Sequence, residues 1–318
     1  MQTVRRAVID VGTNSIKLLV AEVSGRKVLP LLEDSQQTRL GSGLYKSGRI
    51  QAGPIATSAK VVADFAQTAR AWEVESIRVI ATSAAREAAN SAELTKALER
   101  AAGVKVEIIT GDQEADWVFR GVTSDPKLSR RPLLLLDVGG GSTEFIVGRG
   151  LQKSFRHSFP LGTVRLLEKT PHSDPPKREE LAACREWLRD FFTKEVKPML
   201  RPAIRREKRP GRGAMTLVAT GGTATILARM EKKLNDFDRV KIENAPLTLE
   251  RVRWHTRRLW TLPLAERTLI RGLPAKRADV ILTGAAIYEA VMEYLGFYEM
   301  RVSTRGLRFA AVMETEEQ

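Results

Sequence analysis

The sequence predicts an α/β protein of two domains, and three observations carry that prediction. A strand, glycine turn, strand signature occurs twice, in Ala7 to Val23 and again in Leu133 to Gly150. Around these hairpins, short apolar runs alternate with segments whose apolar residues recur at helical spacing, which is the pattern of a mixed α/β class. The chain has 318 residues and 43% hydrophobic composition, more than one domain usually needs and enough for two cores.

Taken in order, AVIDVGTNSIKLLVAEV (Ala7 to Val23) is an apolar run reaching Asp10, a small polar turn of Gly12, Thr13, Asn14 and Ser15, and a second apolar run. The second copy, LLLLDVGGGSTEFIVGRG, places Asp137 where its first strand should end and Gly139, Gly140, Gly141, Ser142 and Thr143 in the turn. Aligning Asp10 with Asp137 also matches Val11 to Val138, Gly12 to Gly139, Ser15 to Ser142 and Val20 to Val147. Glycines let such a turn bring backbone N–H groups close to a phosphate. The copies differ in chemistry, because Lys17 falls where Glu144 falls in the other. One turn adds positive charge; the other adds a carboxylate suited to magnesium or water.

Between the hairpins, Lys27 to Leu40 reads as strand and TRLGSGL, around Arg39, as a glycine-rich loop. Ile55 to Trp72 is helical, with Val61, Val62, Phe65, Ala66 and Ala69 on one face. Ser76 to Thr82 is a strand, followed by a helix from near Ala84 to Ala102 that stops at Gly103. Val104 to Thr110 is a further strand, and Asp112 is the expected cap of a helix through Val122. The segment Ser124 to Pro132 is the expected junction between domains 1–125 and 126–305, with a closing helix 306–318 packed back on the first. In the second half, Thr163 is expected to cap a helix, and 178–206 reads as a long helix interrupted at Pro198 and Pro202. Thr216 to Thr220 is a strand leading into the turn Gly221, Gly222, Thr223 and another helix. Leu249 to Trp260 has Leu249, Val252, Leu259 and Trp260 on one face and Arg251, Trp254 and Arg258 on the other. Ala278 to Leu295 reads as a buried apolar helix and Arg301 to Ser303 as a last strand.

Composition narrows the function classes. A single cysteine, Cys184, excludes an internal disulfide or a multi-cysteine metal site and fits a reducing cytosol. No signal-peptide pattern opens the chain and no apolar run approaches the ~18 residues of a membrane span, so a soluble cytoplasmic protein is expected. The net charge of +14 attracts polyanions. Nucleic acid, polyphosphate, phosphorylated nucleotides and anionic membrane all satisfy it, as does a merely solvated surface. The basic stretch 197–212 and the Arg251, Trp254, Arg258 face either guide a long polyanion or solvate helices. There is no Walker A pattern, HExxH or nucleophile elbow, and three scattered histidines at 157, 172 and 255 argue against a Ser-His-Asp hydrolase.

Each glycine turn alone is a common feature, but DVGTNS, DVGGGS and ATGGTAT in this order resemble the actin, sugar-kinase and Hsp70 superfamily. The wording of DVGTNSIKLLV, RLGSGL, ATSAAREAAN, GDQEA, DVGGGSTEF, FPLGTVRLL, ATGGTAT, RADVILTGAAIYEAV and VSTRGLR is similar to the exopolyphosphatase and guanosine pentaphosphate phosphohydrolase (Ppx/GppA) family, from Ala7 to about Arg308. The resemblance implies two actin-like (ribonuclease H-like) domains with mixed sheets flanked by helices, an active site in the interdomain cleft, and the short two-domain form. It also implies hydrolysis of terminal phosphoanhydride bonds in inorganic polyphosphate, or of guanosine pentaphosphate (pppGpp). It further implies magnesium, with manganese or another divalent cation as a substitute, a homodimer, and no obligate nucleic-acid or membrane partner.

Residue by residue, the resemblance makes Glu114 the catalytic base and Arg86 a phosphate ligand, with Arg39 as a further phosphate contact. It makes Asp137 and Glu144 the metal and water carboxylates, with Asp10 as a third candidate. The turns Gly12 to Ser15, Gly139 to Thr143 and Gly221 to Thr223, with Lys17, would bind phosphate. Two positions depart from the family wording: Gln113 stands where the family has Glu, and Ser42 where it often has Glu. Those departures leave open a non-catalytic sensor of polyphosphate or alarmone. A second reading of Glu114, a carboxylate favoured at a helix N-terminus, also stays open from the residues alone.

Overall fold

The computed structural model describes residues 2–207 and 213–314. The chain forms two compact units, one of residues 1–124 with 305–318 and one of 125–304.

The first unit is built on a five-stranded sheet of order β3-β2-β1-β4-β5, comprising β1 (Val4–Val11), β2 (Ser15–Ser24), β3 (Lys27–Gln37), β4 (Ser76–Ala81) and β5 (Val106–Ile108). β1, β2 and β3 form an antiparallel meander, and β4 and β5 add in parallel on the other side of β1. β1 and β2 are apolar on both faces because helices cover the sheet, which is why they read as runs rather than alternation. The helix Ala52–Ala71 buries Ile55, Val61, Val62, Phe65, Ala66 and Ala69. Phe65 alone, fully buried, is worth ~1.5–3 kcal/mol of transfer free energy.

The second unit carries a six-stranded sheet of order β10-β11-β9-β6-β7-β8. Its strands are β6 (Leu133–Val138), β7 (Thr143–Arg149), β8 (Gln152–Phe159), β9 (Thr216–Thr220), β10 (Pro246–Thr248) and β11 (Glu299–Val302). Again three antiparallel strands, β6, β7 and β8, are extended in parallel through β9 and β11. The repeat is therefore larger than a hairpin: each unit has a meander, a parallel fourth strand, and a loop after the third strand that returns over the hairpin turn. Both sheets are mixed, an antiparallel meander joined to parallel strands. The helix Ile281–Leu295 is buried almost throughout, with Tyr288 at its centre.

Several boundaries differ from the sequence reading, each for a tertiary reason. The helix expected from Ala84 to Ala102 is two, Ser83–Glu87 and Ser91–Ala102. The break is held by Asn90, whose amide both accepts from Ile50 N and donates to Ile50 O, each at 2.9 Å. The strand expected over Val104 to Thr110 pairs only at Val106–Ile108. Thr110, not Asp112, caps the helix Gly111–Val122, its hydroxyl accepting from Gln113 N at 3.1 Å. Gly162, not Thr163, precedes the helix Thr163–Lys169. The prolines do not interrupt the long helix: Arg178–Phe191 passes through a π segment, Phe192–Val196, and continues as Lys197–Glu207 with Pro202 inside it. The wide π turn adds backbone before the proline-bearing helix and turns Phe192 into the core. β10 was not anticipated; three residues with Pro246 at the edge leave little sequence signal.

Within the first unit the segment after Arg305 docks on the helix Gly111–Val122. Trp117 Nε1 donates to Glu314 Oε1 at 3.1 Å, and Arg308 reaches Glu33 Oε2 at 3.2 Å. The observed helix there is Leu307–Ala311; residues 315–318 of the expected 306–318 helix lie outside the described residues. A Cβ added at Gly121 would stand 2.0 Å from Gly306 O, so backbone meets backbone at that point. Gly121→Ala is expected to destabilise the protein by about 1–3 kcal/mol through overpacking, read as a lower thermal midpoint; an unchanged midpoint would show that the segment does not dock this tightly.

Candidate active site

In the first unit, β1 delivers Asp10 and β2 delivers Lys17 as direct cross-strand partners, with Asp10 Oδ2 and Lys17 Nζ 3.9 Å apart. The turn between them is closed by Gly12 N donating to Ser15 O at 3.2 Å. The loop after β3 then folds over this turn. Thr38 N and Arg39 N donate to Asn14 O, at 3.2 and 3.1 Å, and Gly41 N donates to Thr13 O at 2.7 Å. Arg39 itself sits at φ 51°, an uncommon conformation for a residue with a Cβ, held by those bonds. Gly41 is required by space, since a Cβ there would stand 2.2 Å from Thr13 Cγ2.

Glu114, in the first turn of the helix Gly111–Val122, is 8% exposed. Arg86, from the helix Ser83–Glu87, donates from the same terminal nitrogen to Glu114 Oε2 at 2.6 Å and to Ile109 O at 3.0 Å. The expected base and one expected phosphate ligand are thus partners. A guanidinium carries five donors, more than these two acceptors consume. Gln113 donates its backbone N–H to the capping Thr110 and is exposed, as Ser42 is.

In the second unit, Asp137 on β6 and Glu144 on β7 are cross-strand partners, the position that Asp10 and Lys17 hold in the first. Gly139 N donates to Ser142 O at 2.9 Å, reproducing the first turn. Glu144 is 1% exposed, and its Oε1 accepts from Ser142 Oγ at 2.9 Å and from Ser158 Oγ at 2.7 Å. Two hydroxyl donors stabilise a buried carboxylate that the interior alone would disfavour. The turn's carbonyls are taken by the start of the next helix: Thr163 N bonds Gly139 O at 3.0 Å, Val164 N bonds Gly140 O at 2.8 Å, and Arg165 Nε bonds Gly141 O at 2.7 Å. With acceptors consumed, the turn's remaining chemistry is that of its N–H groups. Thr143 Oγ1 donates to Leu161 O, anchoring the end of the turn.

Gly221, at φ +84°, opens the helix Gly221–Lys232, and a Cβ there would stand 2.1 Å from Asp137 Oδ1. The ATGGTAT turn therefore packs against the β6 carboxylate, and Thr223 is buried behind it. Tyr288 donates its hydroxyl to Thr220 O at 3.2 Å; burial, with the Asp137 charge adding to it, pushes that phenol well above its ordinary range. Arg277 was not anticipated as a site residue. Its NH2 lies 3.5 Å from a Cβ built on Gly222, and burial brings its pKa down to about 10 although Asp279 opposes the shift. It remains a cation at neutral pH. Ser158 was also missed, yet it is the cross-strand neighbour of Glu144 on β8, so period-two counting would have found it.

Among the described residues, no group of three or more His, Cys, Asp or Glu side chains has metal-holding geometry. Magnesium commonly uses one or two carboxylates and completes its shell with water and substrate phosphate, which Asp137 and Glu144 suit. Asp10 faces the Lys17 ammonium instead.

The basic surfaces are partly committed within the protein. Arg251 binds both Glu231 oxygens, at 2.9 and 3.0 Å, and Arg251 and Arg258 stack on Trp254. Arg206 donates to Ser154 O at 2.9 Å and Lys197 lies over Tyr294. Residues 208–212 of the basic stretch lie outside the described residues. No helix among the described residues is long and apolar enough to cross a membrane.

Duplicated mixed sheets, each presenting a hairpin turn with a cross-strand charged pair at its base, define an α/β protein built from two similar units. Comparison with known proteins gives the family. Residues 19–317 match the model of the Ppx/GppA phosphatase family. The chain is 32% identical to exopolyphosphatase 2 of Mycobacterium tuberculosis, covering 93% of this chain and 92% of that protein. Among solved structures, the Aquifex aeolicus Ppx/GppA family member matches with a TM-score of 0.77 at 29% identity, covering 98% of this chain and 97% of the other. An exopolyphosphatase from Cytophaga hutchinsonii matches with a TM-score of 0.82 at 25% identity, covering 96% of each chain. The chain belongs to the Ppx/GppA phosphatase family.

Proposed function

We propose that this protein is an exopolyphosphatase, a hydrolase that releases orthophosphate from the end of inorganic polyphosphate. The observation that carries the proposal is the chemical division between the two hairpins, basic at Lys17 and carboxylate at Glu144, on a chain whose curated relative is an exopolyphosphatase. A phosphoanhydride is shielded by its own charge, so its hydrolysis needs neutralisation, an oriented water and little covalent participation.

In the first unit the turn's N–H groups beyond Gly12, with Lys17 and Arg86, and in the second unit those beyond Gly139, with Arg277, serve to neutralise phosphate oxygens. Glu114 orients the attacking water and takes its proton, and the Arg86 contact holds the carboxylate in place. Glu144, fixed by Ser142 and Ser158, orients water at the second unit's turn. Asp137 and Glu144 would hold magnesium, which when bound polarises phosphate and water. The in-line attack forms a P–O bond to water and breaks the bond to the next phosphate, which leaves as the shortened chain.

The test is phosphate release from polyphosphates of defined length and from pppGpp, each with magnesium and after chelation by EDTA. Release from polyphosphate that stops on chelation and returns with magnesium is the expected result. Release from pppGpp alone would move the substrate to the alarmone, and release unaffected by EDTA would remove the metal from the proposal.

A further inference from the structure

Four buried polar atoms gather around the first hairpin turn without hydrogen-bond partners: Thr13 Oγ1, Asn14 Nδ2, Gln37 Oε1 and Thr38 Oγ1. Thr13, Asn14 and Thr38 are 2%, 3% and 6% exposed. Buried polar atoms are nearly always paired, and an unpaired one is costly, so such a cluster points to a missing ligand. The second hairpin has no side chains to offer at two of these places, because Gly140 and Gly141 stand where Thr13 and Asn14 do.

The orientation of Asn14 has a visible cause. Gln37, at the end of β3, pairs across the sheet with Ser15, and its Nε2 donates to Asn14 Oδ1 at 3.2 Å. The two heavy atoms of a carboxamide lie on opposite sides of one carbon, so holding Oδ1 toward Gln37 turns Nδ2 away from it. That Nδ2 is the unpartnered donor. The Asn14 carbonyl is pinned as well, accepting from Thr38 N and Arg39 N. Turning both amides over would keep one hydrogen bond between them but present a carbonyl oxygen instead of an NH2, which repels an anion.

We propose that Gln37 is a positioning residue of the phosphate site: it holds the Asn14 amide so that its NH2 donates to a non-bridging phosphate oxygen of the substrate. Gln37 acts through Asn14 and does not touch the substrate. The inference rests on the polyphosphate reading of the site and deepens it.

Two variants test it. Gln37→Glu is isosteric but only accepts, so the Asn14 amide must turn to meet it; Gln37→Leu removes the bond without adding charge. Each is expected to raise KM for tripolyphosphate about tenfold with kcat within about twofold, the signature of lost uniform binding. Asn14→Ala should raise KM by a similar factor, and combining it with Gln37→Leu should add nothing, because one interaction is removed only once. Wild-type KM in both Gln37 variants, or a double variant whose effect is the product of the singles, overturns the proposal. Thermal protection by tripolyphosphate separates this from the reaction itself. Protection of the wild type but not of Gln37→Leu, without phosphate release by either, sustains the positioning role and sinks the hydrolase reading. Equal protection of both sinks the positioning role.

Discussion

Replacing Glu114 with Gln is expected to lower kcat for phosphate release by about 10²–10⁴-fold while leaving the thermal midpoint within a few degrees of wild type. The carboxylate is buried at the start of its helix, and Arg86 holds one of its oxygens at 2.6 Å. Gln keeps that acceptor, the side-chain volume and most of the packing, and removes the site that takes the proton. A purely structural carboxylate at a helix N-terminus would behave in the opposite way, with a stability loss under ~1 kcal/mol and unchanged turnover. Wild-type kcat in this variant would therefore remove Glu114 from the chemistry. Arg86 also has Ile109 O as an acceptor at 3.0 Å, so its position does not depend on the Glu114 charge alone.

Gly162→Ala should produce the largest combined effect on stability and turnover. A Cβ at position 162 would stand 2.4 Å from both C and O of Gly140 and 2.5 Å from Gly141 N, all backbone atoms of the glycine turn. No flexible side chain can swing aside, so either the helix start at Thr163 or the turn must move. Overpacking of this kind costs about 1–3 kcal/mol, a fall of several degrees in midpoint. A shift of the turn by about 1 Å would in addition cost on the order of 10²-fold in kcat. The control is Gly53→Ala, in the helix Ala52–Ala71 with nothing within 4 Å of the added Cβ, which should be neutral or slightly stabilising. If both variants retain full activity, the close fit between Gly162 and the turn has no catalytic consequence.

The strands of both hairpins were legible because buried parallel and meander strands are continuous apolar runs, and because Asp, Gly and Ser recur at one offset in the two copies. The cross-strand pairings of Asp10 with Lys17 and of Asp137 with Glu144 follow from that same offset once the turn length is known. Helix boundaries were less legible where another segment supplied the deciding bond. Asn90 starts a new helix inside the expected one because Ile50 presents its backbone, forty residues away in sequence, and Gly162 marks a helix start because a turn from β6 packs on it. Arg277 could not be distinguished from the other arginines of the sequence, since its neighbour at the site, Gly222, is brought to it only by folding.

Local sequence specified the chemistry: which residues end each strand, which turns are rich in N–H groups, and which copy is basic and which acidic. Period and composition are properties of neighbouring residues, and neighbouring residues are enough to set them. Tertiary structure decided which of those groups are joined. It tied Arg86 to Glu114, gave Glu144 its two serine donors, set Asp137 against the Gly221 turn, and fixed Asn14 through Gln37. Apart from Ser142, two residues from Glu144, each of those contacts links separate parts of the chain through a distance or an orientation set by folding.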